Sequence, residues 1–285
     1  MIMLEKTKNI ARQILEEKKA DGVLGLMRNE WGIIQPHLFK DTAELTNLVL
    51  EPKWLLAKLT MRILRSAPED YKLGVICRGC DERALIELIK RNQIVKENLL
   101  TVGIACSREQ SAMCLCERPY PEKLDAGEKV SGENPFQDEK VRKFLIGNDK
   151  ERMERWADVL KRCIKCYGCR NSCPICICEP CKLEDDVWVQ RGVVPAETIT
   201  FHLIRAFHLS DTCVACGACQ ESCPVNIPLL YLQLSMRKTL REKYGYEAGL
   251  DPETKSPILS CAFGESNADK NFPEWINSLR GKDES

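Results

Sequence analysis

Histidine is almost missing from this chain: there are three in 285 residues, His37, His202 and His208. They lie far apart, and His202 and His208 are six positions apart, a poor spacing for two ligands on one helix, so they read as surface or core residues. An excess of one charge is also missing. Forty-two basic residues balance 42 acidic ones without forming a basic stripe, which excludes nucleic acid as a partner. No apolar run reaches spanning length, and the opening Met1–Lys8 breaks into charges without the apolar core of a signal peptide. The chain is therefore expected to be soluble and cytoplasmic, with no membrane insertion. Neither G-x-G-x-x-G nor G-x4-G-K-[ST] occurs, so a standard dinucleotide or P-loop site has no support.

Cysteine, by contrast, is abundant, with 17 residues, and seven of them fall between Cys163 and Cys181. In a reducing cytosol a disulfide framework is unlikely to persist, and clustered thiols hold metal. Zinc sites would pair C-x2-C units across a knuckle. Here Cys163, Cys166, Cys169, Cys173 and Pro174 instead follow C-x2-C-x2-C-x3-C-P, and Cys213, Cys216, Cys219, Cys223 and Pro224 repeat it. That spacing binds cubane iron–sulfur clusters, because thiolates two residues apart wrap one cube and the proline turns the chain away toward a neighbouring one. Two copies point to two [4Fe-4S] clusters and to an anaerobic or protected setting.

The length allows two modest domains. Residues 4–18 show an apolar stripe at helical spacing, while Val23–Met27 and Trp31–Gln35 read as a hairpin. Pro52 fits a first helical turn, with Leu55, Leu59 and Ile63 on one face. Lys72–Ile76 and Leu99–Ala105 are apolar strands flanking a helix that buries Leu85, Leu88 and Ile89, with Asp81 as its N-cap. Such a strand–helix–strand unit belongs to a parallel sheet and sets Cys77, Cys80 and Cys106 at its carboxyl edge, where ligands bind. Residues 117–137, rich in proline and glycine, read as a loop, followed by helix up to Cys163. Further on, Pro195 opens a helix burying Ile199, Leu203 and Ala206, and another buries Leu229, Leu232, Met236 and Leu240. The tail from about residue 248 is polar except for Phe272–Leu279. The expected fold class is α/β plus mostly α: a small parallel-sheet domain (1–137), a helical dicluster ferredoxin domain (138–247) and a C-terminal tail (248–285).

The cysteine runs resemble two-cluster ferredoxins, in which the fourth cysteine of each run crosses to the other cluster. The resemblance implies one cluster on Cys163, Cys166, Cys169 and Cys223, and a second on Cys213, Cys216, Cys219 and Cys173. The wide separation of the runs, and the stretch from His208 to Pro224, resemble the helical ferredoxin modules of heterodisulfide reductase and succinate dehydrogenase iron–sulfur subunits. The absence of an adjacent Cys-Cys pair speaks against the catalytic site of heterodisulfide reductases. Arg78-Gly-Cys80-Asp, Val102-Gly-Ile-Ala-Cys106 and Cys178-Glu-Pro-Cys181-Lys-Leu-Glu-Asp resemble the β-subunit family of deazaflavin-reducing hydrogenases and formate dehydrogenases. That resemblance implies a third cluster on Cys80, Cys106, Cys178 and Cys181, with Cys176 or Cys77 able to replace a member. Cys173-Pro-Ile-Cys176-Ile-Cys178 is also similar to iron–sulfur subunits of sulfhydrogenase and anaerobic sulfite reductase. Cys77, Cys114, Cys116 and Cys261 read as small buried residues, although Cys114-Leu-Cys116 could supply a cluster ligand or a redox pair.

Every strong motif binds a one-electron carrier, and none supplies a general base, a nucleophile or a substrate pocket. The chain is thus expected to be a non-catalytic iron–sulfur electron-transfer subunit of a multisubunit oxidoreductase. Its partner would be a catalytic subunit of formate dehydrogenase, hydrogenase or tungsten oxidoreductase type, or a flavin- or heterodisulfide-reductase-like subunit. The alternative is a β subunit carrying FAD that exchanges hydride with a deazaflavin or nicotinamide. The second cysteine run follows Cys181 closely, where that family has its larger flavin-binding region.

Overall fold

The computed structural model describes residues 2–184, 193 and 198–258. It opens with helix α1 (Ile2–Glu16), whose Thr7, Ala11 and Ile14 are buried at helical spacing. Strands β1 (Gly22–Arg28) and β2 (Ile34–Phe39) then form the expected hairpin, paired antiparallel as Val23↔Phe39. The second strand starts later than its sequence suggests, leaving Trp31 exposed in the turn. A two-residue strand β3 (Leu48–Val49) pairs antiparallel with the far end of β1. Strands β4 (Leu73–Cys77) and β5 (Leu99–Gly103) run parallel to each other, and β4 runs parallel to β1. The order is β2-β1-β4-β5, so the sheet is mixed: the expected parallel pair β4 and β5 continues through β1 into the expected antiparallel hairpin.

Alternation at period 2 gives each face of the sheet its own core. Val23, Ile76 and Val102 point to the face covered by α1, with Ala11, Phe39 and Leu45. Leu24, Val75 and Cys77 point to the other, covered by α2 (Ala57–Ser66) and α3 (Gly79–Lys90). Ile175, Leu209 and Val214 from the cysteine-rich half complete this second face, so the halves share a core. Pro52 lies ahead of α2 rather than in its first turn. Cys77 is fully buried within this apolar cluster, which gives it a packing role.

Asp81 is the third residue of α3, not its cap. Its carboxylate, 1% exposed, accepts from the backbone N–H groups of Leu56 (2.7 Å) and Ala57 (3.2 Å) and so pins the start of α2 to α3. Burial pushes its pKa up to about 6, against these bonds. Asp81→Ala strands two buried donors at about 1–3 kcal/mol each, so stability should fall by about 2–6 kcal/mol. Denaturant midpoints of the cluster-loaded protein check this: Asp81→Asn, which keeps an acceptor, should lose less, and an unchanged midpoint for the alanine variant would refute it.

Beyond β5 come α4 (Arg108–Met113), α5 (Glu139–Leu145), α6 (Asp149–Leu160), α7 (Gly168–Asn171), α8 (Thr198–His208), α9 (Ala218–Glu221) and α10 (Leu229–Tyr244). Of the expected loop 117–137, residues 117–134 hold neither helix nor strand and pass over the carboxyl ends of β4 and β5, while Pro135–Gln137 form a short 3-10 turn. A Cβ at Gly103 would come within 2.0 Å of the Lys123 carbonyl oxygen, so only glycine admits that crossing. Helix α8 buries Phe201, His202, Arg205 and Ala206 and leaves Leu203 half exposed, correcting the face expected for it. Helix α10 buries Leu229, Leu230, Gln233, Leu234 and Arg237, whereas Leu232, Met236 and Leu240 are only partly covered. Pro195, Cys261 and Phe272–Leu279 lie outside the described residues, as does the side chain of Ile199.

Candidate metal centres

Both cysteine runs are wound by left-handed backbone at matching steps. Lys165 (φ 50°) and Tyr167 (φ 57°) alternate with Cys163, Cys166 and Cys169, as Ala215 (φ 52°) and Gly217 (φ 79°) do with Cys213, Cys216 and Cys219. Three of these four residues are not glycine, in a conformation that side chains disfavour, so something must hold the chain there. The turns aim backbone donors at sulfur: Lys165 N–H donates to Cys163 Sγ, Ala215 N–H to Cys213 Sγ and Ile227 N–H to Cys223 Sγ, each at 3.4 Å. One-turn helices α7 and α9 then carry Cys169 and Cys219 inward. The runs abut through Ser172 and Ser222, whose hydroxyl oxygens are 2.9 Å apart.

This winding brings the expected groups together. Cys163 and Cys169 both feel the charges of Cys166 and Cys223, and burial raises the pKa of each. Cys173, Cys213, Cys216 and Cys219 line one cavity, where burial pushes the Cys219 thiol up to about 12. Buried thiols resist ionisation, yet a positive charge stands among them. Arg205, 5% exposed, donates to the Cys169 carbonyl oxygen at 2.8 Å. Burial works to lower its pKa, but the charges of Cys173, Cys176, Cys169 and Cys219 outweigh that and hold it above its ordinary value. Sequence reasoning passed over Arg205, although a charge on the apolar face of a helix is a signal that an anion lies opposite.

The group implied by the β-subunit resemblance is not assembled. Cys80 and Cys106 share a cavity with Cys114 and Cys116, whereas Cys178 and Cys181 line a different one with Cys176. The physical reason is the turn after β5. Ser107 caps α4 by accepting from Gln110 N–H, and the chain reverses so that Cys114 and Cys116 come back over Cys80. Burial pushes the thiols of Cys80 and Cys106 up to about 12 and 11. Lys53, also missed in the sequence, donates from Nζ to Cys114 Sγ (3.1 Å), the Cys216 carbonyl (2.9 Å) and Glu221 (3.0 Å). Arg83 adds a donor at 3.8 Å to Cys116 Sγ. Cys216 lines both this cavity and that of the second run.

Among the described residues, no three His, Cys, Asp or Glu side chains converge on a point that a single ion could take. A cubane needs no such convergence, because each thiolate takes a separate iron at its own corner. Spread thiols with N–H donors and buried cations beside them suit an anionic cluster.

The comparisons with known proteins agree with this chemistry. A 4Fe-4S binding domain matches residues 208–228, which include the second run. The chain is 34% identical over 143 residues to the F420-dependent formate dehydrogenase subunit beta of Methanocaldococcus jannaschii, covering 50% of this chain and 38% of that one. It is likewise 34% identical over 145 residues to the F420-dependent formate dehydrogenase 1 subunit beta of Methanococcus maripaludis, covering 51% and 37%. The chain thus spans well under half the length of these relatives. Among the described residues, no helix is long and apolar enough to cross a membrane. Over about half its length this chain is similar to the β subunits of F420-dependent formate dehydrogenases, and its residues 208–228 match a 4Fe-4S binding domain.

Proposed function

We propose that this chain relays single electrons through three [4Fe-4S] clusters, as a subunit of a larger oxidoreductase such as a formate dehydrogenase. The ligands are Cys163, Cys166, Cys169 and Cys223; Cys213, Cys216, Cys219 and Cys173; and Cys80, Cys106, Cys114 and Cys116. The last set replaces the expected pair Cys178 and Cys181 with Cys114 and Cys116. What carries the reading is Cys216, which lines two cavities at once and so puts neighbouring centres on either side of one residue.

Each cluster, when bound, supplies one-electron chemistry, and the protein sets its charge and surroundings. Lys53 neutralises the Cys114 end of one centre while its bond to the Cys216 carbonyl fixes that end against the next. Arg205 does the same between the two ferredoxin-type sets. The relatives are named as β subunits of formate dehydrogenases, which supports a catalytic formate dehydrogenase subunit as the partner class.

Iron, acid-labile sulfide and flavin per chain on anaerobically purified protein test this. At least about twelve irons and no flavin are expected. Cys80→Ser and Cys114→Ser should each lose about four irons, since one missing ligand frees a whole cluster. About eight irons in the wild-type protein would refute the third centre. About one flavin per chain would overturn the relay in favour of hydride exchange with a deazaflavin or nicotinamide.

A further inference from the structure

Of the five cysteines outside these sets, three share one place. Cys176, Cys178 and Cys181 line a cavity of about 330 Å³ beside the ferredoxin-type runs, and Cys178 is exposed at its mouth. Their surroundings are cationic. Arg170 bonds Cys181 and ion-pairs with Glu184, Arg205 bonds Cys176, and Lys58 feels the charges of Cys176 and Cys173. Cys176 and Cys181 also touch the two apolar clusters, but unlike Cys77, which is fully buried in one of them, they open onto this charged cavity. A cavity of this size has room for a cube, and three cationic side chains at thiols are the environment of an anionic one.

We propose that Cys176, Cys178 and Cys181 hold a fourth iron–sulfur cluster, whose fourth corner lacks a cysteine and faces the cavity mouth. It extends the relay proposed above and rests on that reading. Its inner neighbour is given by the chain itself. Cys176 lies three residues after Cys173, a ligand of the second ferredoxin-type set, and the two side chains are in contact. An electron passing between the two centres oxidises one and reduces the other, with no proton transferred. The site therefore places an exchangeable iron at the surface, one residue pair away from the second ferredoxin-type centre.

The test compares wild-type protein with Cys178→Ala/Cys181→Ala, which leaves Cys176 and every ligand of the other sets in place, and with Cys181→Ala alone. Wild-type protein should bind about sixteen irons per chain, and both variants about four fewer. A cube with one non-cysteine corner surrenders that iron on mild oxidation, so the wild-type protein should develop the paramagnetic resonance of a three-iron cluster, and the variants should not. Far-UV circular dichroism and the resonance of the reduced ferredoxin-type centres should be unchanged in both variants. Equal iron content in wild type and variants would overturn the fourth cluster while leaving the relay standing at about twelve irons. A wild-type content of about eight or fewer would instead bring down the relay reading itself.

Discussion

Chelating the iron out of the folded protein, without oxygen, is expected to unfold the helical half while the sheet keeps its strands. The stabilisation lost should be on the order of 10 kcal/mol, the scale of other structural metal sites. The core of that half is built around the proposed ligands: Cys163, Cys169 and Cys219 are buried with Trp156, Phe201, Tyr231 and Leu234. Without metal these positions hold thiols whose ionisation burial opposes. The left-handed backbone at Lys165, Tyr167, Ala215 and Asn226 then costs roughly 1 kcal/mol or more per residue with nothing to offset it. The one-turn helices α7 and α9 are too short to persist alone. The sheet differs because, among the described residues, its α1 face is packed by residues up to Ala126. Its other face loses Ile175, Leu209 and Val214 and should soften without melting. Far-UV circular dichroism should lose helix and keep strand, and limited proteolysis should release a fragment cut after about residue 126. Apoprotein that retains full helicity and protease resistance would show that the clusters are guests in a preformed fold.

The features legible in the sequence are those fixed by short-range spacing. Short continuous apolar runs gave β1, β4 and β5, and the two C-x2-C-x2-C-x3-C-P runs gave two groups of cysteines that the fold brings together. What was hidden depends on chain reversals. Cys178-Glu-Pro-Cys181 is conspicuous in the sequence, yet Cys114 and Cys116 reach Cys80, because the capped turn at Ser107 folds residues 107–116 back over α3. Asp81 looked like a local cap, but its partners are Leu56 and Ala57, 25 and 24 residues away. Helix α8 misled for a physical reason: its inward face carries His202 and Arg205, which an apolarity pattern assigns to solvent. Burying Arg205 is tolerable only beside thiolates, and the helix pattern alone does not show them.

Replacing Arg205 with methionine should then make both proposed ferredoxin-type clusters harder to reduce. Each reduction adds an electron to a centre that is already anionic, and the Arg205 cation lies among Cys169, Cys173 and Cys219, which belong to both sets. Removing it should shift both midpoint potentials negative, with the order of the clusters preserved. The same substitution leaves the Cys169 carbonyl without its 2.8 Å donor and the neighbouring thiolates without their counter-charge. Breaking one side of a buried charge pair costs about 3–5 kcal/mol, so the denaturation midpoint should fall as well. Arg205→Lys separates the two contributions. Its ammonium keeps the positive charge without the planar fork, so the potentials should return most of the way while stability recovers only in part. Redox titration followed by paramagnetic resonance, run beside denaturant unfolding, reads both quantities. If the methionine variant unfolds more easily but keeps the wild-type potentials, Arg205 acts only as a structural tie, and the field that sets the relay's driving force must come from the backbone donors at Cys163, Cys213 and Cys223.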